Sequence, residues 1–399
     1  MLILHTAHTY APELNGVAEV VRHISTRLAA RGHELHVATS RPAGMPATET
    51  IEGVAVHRFD VEGEAVHGIH GNVQGYVEFV RSRPWDVLGM HYAPIWSTDV
   101  LLPHLAQIRA ARVFIGHGLS IYRHPKYQPY LEKLGRGLLN TEAVVSLSPR
   151  LEESTLCRRL ALLPPHIIPN GVDRSSWQAP LLGLRARWSI GNRPWLLSVA
   201  NHSPVKEHGL FFELLKAVRR QQPDAVGTII GNSYPAAKWR LGRLGVKGGC
   251  WYRCRARSFL WSERVLRPNL PREEVISAIG ETDVVVITSR REASPVVMLE
   301  SMAAGKPWVS FDVGCVRENA GGVVVGSLHE MTDVVLELLR DPERRRSLGA
   351  QGRARIAERH DWDVIAQQYE SVYHEACKAR SQSAAVLHAG ASTVQMVQG

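Results

Sequence analysis

The sequence lacks the features of a secreted or membrane-spanning protein. No apolar run approaches the roughly 18 residues that a membrane-spanning helix needs. Met1 leads directly into an apolar, strand-like segment without the basic region of a signal peptide. Cysteine is scarce, with five in 399 residues, and this odd number argues against a disulfide framework. These absences predict a protein of the reducing cytoplasm.

Metal-binding motifs are also missing from the sequence. No DxD-type motif is present, and the one close pair of cysteines is Cys250 and Cys254. A zinc site needs four ligands, whereas this pair supplies two and has no knuckle spacing. We therefore expect ordinary thiols, with no bound metal and no other cofactor.

The composition is that of a folded globular protein. Apolar residues make up 45% of the chain, charged residues make up 21%, and the mean hydropathy is -0.13. A chain of 399 residues is long enough for about two domains, each with a core of its own. General disorder is therefore excluded.

Apolar periodicity predicts an α/β protein. A strand at 2–6, an amphipathic helix at 17–31 and a strand at 33–39 form a βαβ unit, which builds parallel sheets. A stretch rich in proline and glycine follows residue 174, and the alternation restarts at 195–200. The pattern predicts two doubly wound Rossmann-like domains at 1–175 and 194–362, a linker at 176–193, a C-terminal helix at 363–379 that returns to the first domain, and a flexible tail at 380–399.

The segment 288–312 carries the strongest chemical signal. Ser294 suits the N-cap of a helix, Pro295 suits its first position, and Gly305 suits its end, which predicts a helix at 295–304. The helix starts just after a predicted strand. Its free N–H groups would therefore lie at the carboxyl edge of a sheet, where a diphosphate could bind.

Two glutamates belong to this segment. Glu300 lies in the middle of the predicted helix among apolar neighbours, without a basic partner there, so that two ribose hydroxyls would satisfy its carboxylate. Glu292 precedes the helix. The alternative is an exposed Glu292 paired with Arg290 or Arg291, with Glu300 buried against an unrelated partner.

The spacing of Glu292 and Glu300, followed by SMAAGKP at 301–307, resembles the E-x7-E signature of the retaining nucleotide-sugar glycosyltransferases of family 4, which have the GT-B fold. The similarity extends from residue 2 to about residue 373. It implies two Rossmann-like domains facing an interdomain cleft. It also implies transfer of a sugar from a nucleotide diphosphate sugar to a sugar or lipid-linked acceptor hydroxyl, in the synthesis of glycans, polysaccharides or glycolipids.

The resemblance assigns roles to individual residues. Glu300 would bind the nucleotide ribose, Glu292 would lie beside the donor sugar, and Lys206 would bind the diphosphate. His117 follows a first-domain strand at the place where the family often has a histidine near the reacting carbon. The remaining donor-side positions are Ser294, Pro295, Val296, Val297, Asn201 and Gly231.

Two further motifs resemble those of the family. Asn15 and Gly16 occupy its glycine-rich loop, which shapes the acceptor and phosphate side, and Asn15 replaces a glycine. Asn170 and Gly171 belong to its I-P-N-G-V-D motif between the domains, although Asn-Gly is also a common tight turn. Asn201 stands where the family commonly has an arginine, so we expect His202, Arg290 or Arg291 to compensate.

The resemblance favours a same-face mechanism, in which the leaving diphosphate takes the acceptor proton. Lys206 and the helix N-terminus would stabilise the diphosphate, while Glu292 and His117 orient the sugar, and no metal is required. Two alternatives remain open. The chain could be a phosphorylase or epimerase of the same fold, or a non-catalytic protein that binds a nucleotide sugar or acts as a scaffold.

Positive charge is concentrated in one segment. Residues 238–272 hold ten basic residues and one acidic residue, equal to the whole net charge of +9, with aromatic residues interleaved. The segment could be a charged outer face, a patch that contacts an anionic membrane or lipid-linked acceptor at the inner face of the membrane, or a nucleic-acid site. Its position within the predicted fold disfavours nucleic acid.

Overall fold

The computed structural model describes residues 1–12, 16–232, 250–260, 266–268 and 270–397. These residues form two compact units. The first consists of Met1–Asn170 together with the C-terminal segment from Trp362, and the second is Gly171–Asp361. Within the ranges that the structure describes, no helix is both long enough and apolar enough to cross a bilayer.

The first unit contains one large, mainly parallel sheet. Its strands, with a separate β5–β6 ribbon, are β1 (Leu2–Thr6), β2 (Glu34–Ser40), β3 (Thr48–Ile51), β4 (Val54–Phe59), β5 (Val61–Glu64), β6 (Gly68–Gly71), β7 (Val87–His91), β8 (Ala111–Ile115), β9 (Ala143–Ser146) and β10 (His166–Ile167). The order across the sheet is β10-β9-β8-β7-β1-β2-β4-β3, and only β3 is antiparallel to its neighbour. The strand order reverses direction between β1 and β7, which makes the carboxyl ends of these strands the expected ligand site.

The second unit has a fully parallel sheet. Its strands are β11 (Trp195–Val199), β12 (Val226–Ile230), β13 (Leu266–Arg267), β14 (Val284–Ile287), β15 (Trp308–Phe311) and β16 (Gly322–Val325). The order is β13-β12-β11-β14-β15-β16. This is the doubly wound order of nucleotide-binding domains, and its reversal lies between β11 and β14. The predicted α/β class, with two Rossmann-like domains, is confirmed.

Helices cover both sheets. They are α1 (Gly16–Ala30), α2 (Val73–Ser82), α3 (Trp96–Asp99), α4 (Gln128–Leu138), α5 (Glu152–Arg159), α6 (Leu184–Arg187), α7 (His208–Arg219), α8 (Trp251–Leu260), α9 (Arg272–Glu281), α10 (Val296–Ala304), α11 (Leu328–Arg340), α12 (Pro342–Arg359) and α13 (Trp362–Val397). Strands β8 and β14 are buried at every residue. A continuous apolar strand such as β14 is typical of a parallel sheet with both faces covered. The apolar stripe predicted on α1 is buried at Val20, Val21, Ile24 and Leu28.

Two expected boundaries differ from the structure. The segment 176–193, predicted as a linker, belongs to the second unit, because Leu184 and Ile190 are buried in its core. Arg185 pairs with Asp283 at 2.8 Å and fixes the same segment. The first unit ends at Asn170 rather than at residue 175.

Helix α13 packs against α1 and β8 in the first unit, with Tyr369 and Tyr373 buried. It continues to Val397, well past the predicted end at residue 379. The segment predicted as a flexible tail, 380–399, is thus part of this helix up to residue 397. This stretch is rich in alanine and contains no proline, and both properties favour continuation of the helix.

Candidate functional site

The loops after β11 and β14 meet at the reversal point of the second sheet. Lys206 ends a short 3₁₀ turn in the first loop, and Glu292 lies in the second. The Lys206 Nζ atom is 2.5 Å from Oε1 of Glu292, and both side chains are largely shielded from solvent. The structure therefore brings the predicted diphosphate-binding lysine and the predicted sugar-side glutamate into one ion pair.

Backbone contacts hold these two loops together. Thr288 donates its hydroxyl to the carbonyl of Lys206 at 2.9 Å. The N–H of Arg290 donates to the carbonyl of Val205, also at 2.9 Å. The position of Lys206 is thus fixed by the neighbouring loop as well as by its own ion pair.

A tight turn after β15 supports Glu292 from the other side. The N–H of Cys315 donates to the carbonyl of Ala293 at 3.1 Å. Gly314 has φ +52°, and a Cβ atom there would lie 2.1 Å from the same carbonyl oxygen. Only glycine fits this position without a shift of the Glu292 loop.

Helix α10 begins one residue later than predicted. Pro295 has ψ 110°, which places it outside the helix, so Ser294 is not the N-cap and no side chain caps this end. The first turn still starts at the carboxyl edge of β14, and the N–H groups of Val296 and Val297 have no acceptor within the helix. Gly305 ends the helix with φ 68°, as predicted.

Glu300 is buried, with 5% of its surface exposed, but it does have a basic partner. Nη2 of Arg272, the first residue of α9, lies 2.5 Å from Oε1 of Glu300. Arg272 is not among the helical neighbours of Glu300, so the sequence pattern around Glu300 does not reveal it. No spacing rule connects the two positions, because the fold brings α9 and α10 together.

Asn201 and Gly231 lie where β11 and β12 end. Oδ1 of Asn201 accepts the N–H of Asn232 at 3.2 Å. A Cβ atom on Gly231 would lie 1.9 Å from the carbonyl oxygen of Ala200, so the close approach of these loops requires glycine. His202, expected as a substitute for the missing arginine, is buried with its ring against His208 instead.

A cavity of about 360 Å³ opens beside this edge of the second sheet. It lies at the carboxyl ends of β15 and β16, and its lining includes Leu210, Arg290, Asp312 and Ser327. This volume suits part of a small-molecule ligand. Arg290 is exposed and lines the cavity, so it remains a candidate for the cation that Asn201 does not supply.

The first unit places histidines at the corresponding edge of its own sheet. His117 follows β8, and its Nε2 lies 3.1 Å from Nδ1 of His91, with the two rings stacked. His5 contacts the edge of His91, and its ring is hydrogen bonded to Tyr373 at 2.8 Å. Burial lowers the pKa of His117 to about 4 and that of His5 to about 3. At neutral pH His117 can therefore orient a ligand by hydrogen bonding but contributes no charge.

Glu153 is a residue near His117 that the sequence analysis missed. Its buried Oε1 accepts hydrogen bonds from the hydroxyl of Ser146 at 3.1 Å and from the N–H of Gly118 at 3.4 Å. Burial raises its pKa to about 7. Two consecutive glutamates at the start of α5 were the available signal, but they are also ordinary residues for a helix N-terminus.

The other predicted positions lie outside these contacts. Gly16 is the first residue of α1, and Asn15 lies outside the described residues. Asn170 and Gly171 stand on either side of the boundary between the two units. Of the basic segment 238–272, residues 250–260, 266–268 and 270–272 are described, and α8 exposes Tyr252, Arg253, Arg255 and Phe259.

Comparisons with known proteins cover nearly the whole chain. Residues 184–355 match the family described as Glycosyl transferases group 1, and residues 14–176 match the one described as Glycosyltransferase Family 4. The D-inositol 3-phosphate glycosyltransferase of Thermobispora bispora is 25% identical over 94% of this chain and 93% of its own length. The N-acetyl-alpha-D-glucosaminyl L-malate synthase of Bacillus anthracis is 23% identical over 92% of this chain and 96% of its own.

Solved structures show the same fold. The sucrose-phosphate synthase of Thermosynechococcus elongatus superposes with a TM-score of 0.73 at 20% identity, over 94% of this chain and 99% of that one. Anabaena HepE in complex with UDP-glucose has a TM-score of 0.67 at 16% identity, over 92% of this chain and 98% of that one.

Proposed function

This chain belongs to the family 4 glycosyltransferases of the GT-B fold, and from that premise we propose that it moves a sugar from a nucleotide diphosphate sugar to an acceptor hydroxyl with retention of anomeric configuration. The observation that carries the proposal is the Lys206–Glu292 ion pair beside the open N-terminus of α10, at the reversal point of the second sheet. The HepE complexes with UDP and UDP-glucose support this class of donor.

The donor diphosphate would bind to Lys206 and to the N–H groups at the start of α10. Its negative charge would compete with Glu292 for the ammonium group of Lys206, which stands 2.5 Å from the carboxylate. Once displaced, Glu292 would be free to face the donor sugar. The lysine and the helix N-terminus would then stabilise the charge that grows on the departing diphosphate.

The nucleotide ribose would occupy a position beside Glu300. When the ribose binds, two of its hydroxyl groups can donate to the carboxylate of Glu300 in place of Arg272. Arg272 is half-exposed and can return to solvent. Arg272 would then remain at the rim of the ribose site. The ion pair thus keeps a buried carboxylate satisfied until the donor arrives.

The transfer itself would follow a same-face route. The bond between the anomeric carbon and the diphosphate oxygen breaks, and the acceptor oxygen forms its bond to the anomeric carbon on the same face. The acceptor proton passes to an oxygen of the leaving diphosphate. The neutral ring of His117 would orient the sugar by hydrogen bonding, since its pKa of about 4 leaves it uncharged at pH 7. No metal takes part in these steps.

The acceptor would be a sugar or a lipid-linked sugar, in the synthesis of a glycan, polysaccharide or glycolipid. The exposed face of α8, with Tyr252 and Phe259 beside two arginines, supports peripheral contact with anionic lipid at the inner face of the membrane. Cosedimentation with vesicles that contain phosphatidylglycerol should therefore exceed cosedimentation with neutral vesicles. Absence of binding to either kind of vesicle would favour a charged outer face without a membrane role.

A thermal-shift panel tests the donor site. UDP, GDP, ADP and dTDP are added separately, and we expect one of them to raise the melting temperature strongly, because a ligand at 100 times its dissociation constant adds about 2.7 kcal/mol of stability. The matching labelled nucleotide sugars then serve as donors, and the anomeric configuration of the product is read by NMR. An inverted product would contradict the retaining mechanism, and the absence of a shift with every nucleotide would contradict the donor site.

The same experiment separates the alternatives. Release of sugar phosphate or isomerisation of the donor would identify a phosphorylase or an epimerase. Nucleotide binding without turnover of any donor would favour a non-catalytic protein, for which the replacement of the family arginine by Asn201 would be the physical reason.

A further inference from the structure

Four side chains that usually bind zinc converge just behind the Lys206 turn. They are His202, His208, Cys250 and Cys254, and their nitrogen and sulfur atoms all lie within 4.8 Å of one another. The two Nδ1 atoms of the histidines are 3.2 Å apart. Sγ of Cys250 lies 3.5 Å from Nδ1 of His202 and 3.6 Å from Nδ1 of His208.

Three of these distances are close to the edges of a zinc tetrahedron. With Zn–N near 2.0 Å and Zn–S near 2.3 Å, tetrahedral geometry separates two nitrogens by about 3.3 Å and a nitrogen from a sulfur by about 3.5 Å. The three separations among the histidine nitrogens and the Cys250 sulfur differ from these values by about 0.1 Å or less. The three atoms thus lie about as close to one another as the ligands of one zinc ion do.

The cluster is buried among apolar groups. His202, His208 and Cys254 are each 3% exposed or less, and the ring of Trp251 packs edge-on against His202. Nε2 of His208 has no hydrogen-bond partner in the described part of the chain. The polar contacts that the structure gives for this ring are those of Nδ1 with His202 and Cys250, both members of the cluster. Two thiolates, two neutral imidazoles and one Zn²⁺ ion together carry no net charge, which suits a buried position.

The local sequence explains how the four ligands meet. His202 and His208 lie on either side of the 3₁₀ turn at Pro204–Lys206, and His208 begins α7. Cys250 and Cys254 are one helical turn apart at the start of α8, where the N–H of Cys254 donates to the carbonyl of Cys250 at 2.9 Å. Ordinary thiols were expected because Cys250 and Cys254 alone supply only two ligands. The fold adds His202 and His208 to them.

We propose that His202, His208, Cys250 and Cys254 form a structural zinc site that clamps the Lys206 turn to helix α8. All four ligands come from the protein, so the ion has no open position for substrate and is structural rather than catalytic. When Zn²⁺ binds, it gives up its water ligands and forms two Zn–S and two Zn–N bonds, and both thiols lose their protons to solvent. The effect on Lys206 rests on the proposed function, whereas the metal site does not.

Metal analysis tests the site without any activity assay. Protein purified without chelator, and with any affinity tag removed, should contain about one zinc per chain by mass spectrometry of the metal. Cys254→Ser and His208→Ala should each lower the zinc content to background. Cys315→Ser is the matched control, because Cys315 is also a buried free cysteine of the second unit but lies outside the cluster, and it should retain the metal.

Cobalt substitution provides a second readout on the wild-type protein, in case a variant fails to fold. Co²⁺ should give the visible bands of a tetrahedral site and the near-ultraviolet bands of thiolate coordination, and added Zn²⁺ should abolish both. Background zinc with no cobalt spectrum would overturn the proposal. Zinc that is retained equally in Cys254→Ser and in Cys315→Ser would also overturn it.

The coupling to Lys206 is measured separately. Removal of zinc by chelation should lower the melting temperature of the wild type, and should lower turnover by at least tenfold with a smaller change in nucleotide affinity. A zinc-containing wild type whose turnover is unchanged after chelation would overturn the clamp on Lys206. A protein that holds zinc but transfers no sugar would instead count against the proposed function.

Discussion

The two units share the order of the central strands around their reversal points, but they place different chemistry at the carboxyl edges of these strands, where ligands are expected. In the first unit, His117 stacks on His91 and His5 contacts the edge of His91, and burial lowers the pKa of all three rings. In the second unit the same edge holds the Lys206–Glu292 ion pair. The difference teaches that strand order fixes where a ligand binds, whereas the loops decide whether the site is neutral or charged.

Histidines also serve different purposes in the two units. The ring of His5 is hydrogen bonded to the hydroxyls of Ser25 and Tyr373, each at 2.8 Å, so its partners are ordinary protein groups. The rings of His202 and His208 instead point at each other and at Cys250. Burial of a histidine is therefore a weak indication of metal binding, and the identity of the facing atoms carries the information.

The largest effect is expected at the edge of the second sheet that holds Lys206 and Glu292. Lys206→Ala should lower turnover by roughly 100- to 1,000-fold, because it removes a preorganised cation from the leaving diphosphate. Steady-state kinetics with the donor found in the nucleotide panel would measure it. Lys216→Ala, an exposed lysine on α7, is the control and should stay within about twofold of the wild type. Equal rates for the two variants would remove Lys206 from the reaction.

The burial of His117 in the first unit should make the free energy of unfolding depend on pH. Burial lowers the pKa of His117 to about 4 in the native protein, whereas an unperturbed histidine has a pKa of about 6.5. Below pH 6.5 the unfolded chain therefore binds a proton that the native protein does not bind. The stability due to this group is complete above pH 6.5 and is lost as the pH falls towards 4, by roughly 3 kcal/mol. His117→Asn should therefore flatten the dependence of the free energy of unfolding on pH.

Denaturant titrations of wild type and variant at matched pH values measure this slope. Glu153 titrates in the opposite sense in the same range, because burial raises its pKa to about 7, so only the difference between the proteins is interpreted. His329→Asn changes a histidine that is 89% exposed in the second unit and should leave the slope unchanged. Identical slopes for His117→Asn and the wild type would contradict a buried neutral His117.

Substitution of Glu300 tests the contribution of the second unit to nucleotide binding. Glu300→Ala should weaken the preferred nucleoside diphosphate by roughly 10- to 100-fold, the range expected for lost hydrogen bonds to a charged group. Isothermal titration calorimetry would measure the dissociation constant. Glu343→Ala, at a highly exposed carboxylate on α12, should leave it unchanged. An unaltered constant in Glu300→Ala would mean that the ribose binds elsewhere.

The smallest effect contrasts two glycines. Gly231→Ala should destabilise the second unit by about 1 to 3 kcal/mol, because its Cβ atom would lie 1.9 Å from a backbone oxygen. Gly16→Ala meets nothing within 4 Å among the described atoms and should change stability by about 0.5 kcal/mol or less. Thermal unfolding of both variants would check the pair. A Gly231→Ala protein as stable as the wild type would show that the loop can move.

Local pattern predicted much of this protein from its sequence. The helix that ends at Gly305 and the two Rossmann-like units follow from periodicity, capping residues and breakers, which act within a few residues. The start of that helix was misplaced by one residue, because Pro295 satisfies the φ of a first helical position but not its ψ. The linker was misassigned, because its two apolar anchors, Leu184 and Ile190, are separated by exposed positions.

Partners from distant parts of the chain could not be predicted. Arg272 reaches Glu300 because α9 and α10 are neighbours, and the histidines reach Cys250 because α7 and α8 are neighbours. The available sequence signal for the cluster was the presence of both spacings, His-x5-His and Cys-x3-Cys, in the same domain. Each spacing alone is common, and only the tertiary fold joins them.

A crystal structure with the nucleoside diphosphate that gives the largest thermal shift tests the central claim most directly. The account predicts that Nζ of Lys206 leaves Glu292 and contacts the diphosphate at the start of α10, while the ribose hydroxyls donate to Glu300. A diphosphate bound elsewhere, with the Lys206–Glu292 pair still intact at 2.5 Å, would contradict it.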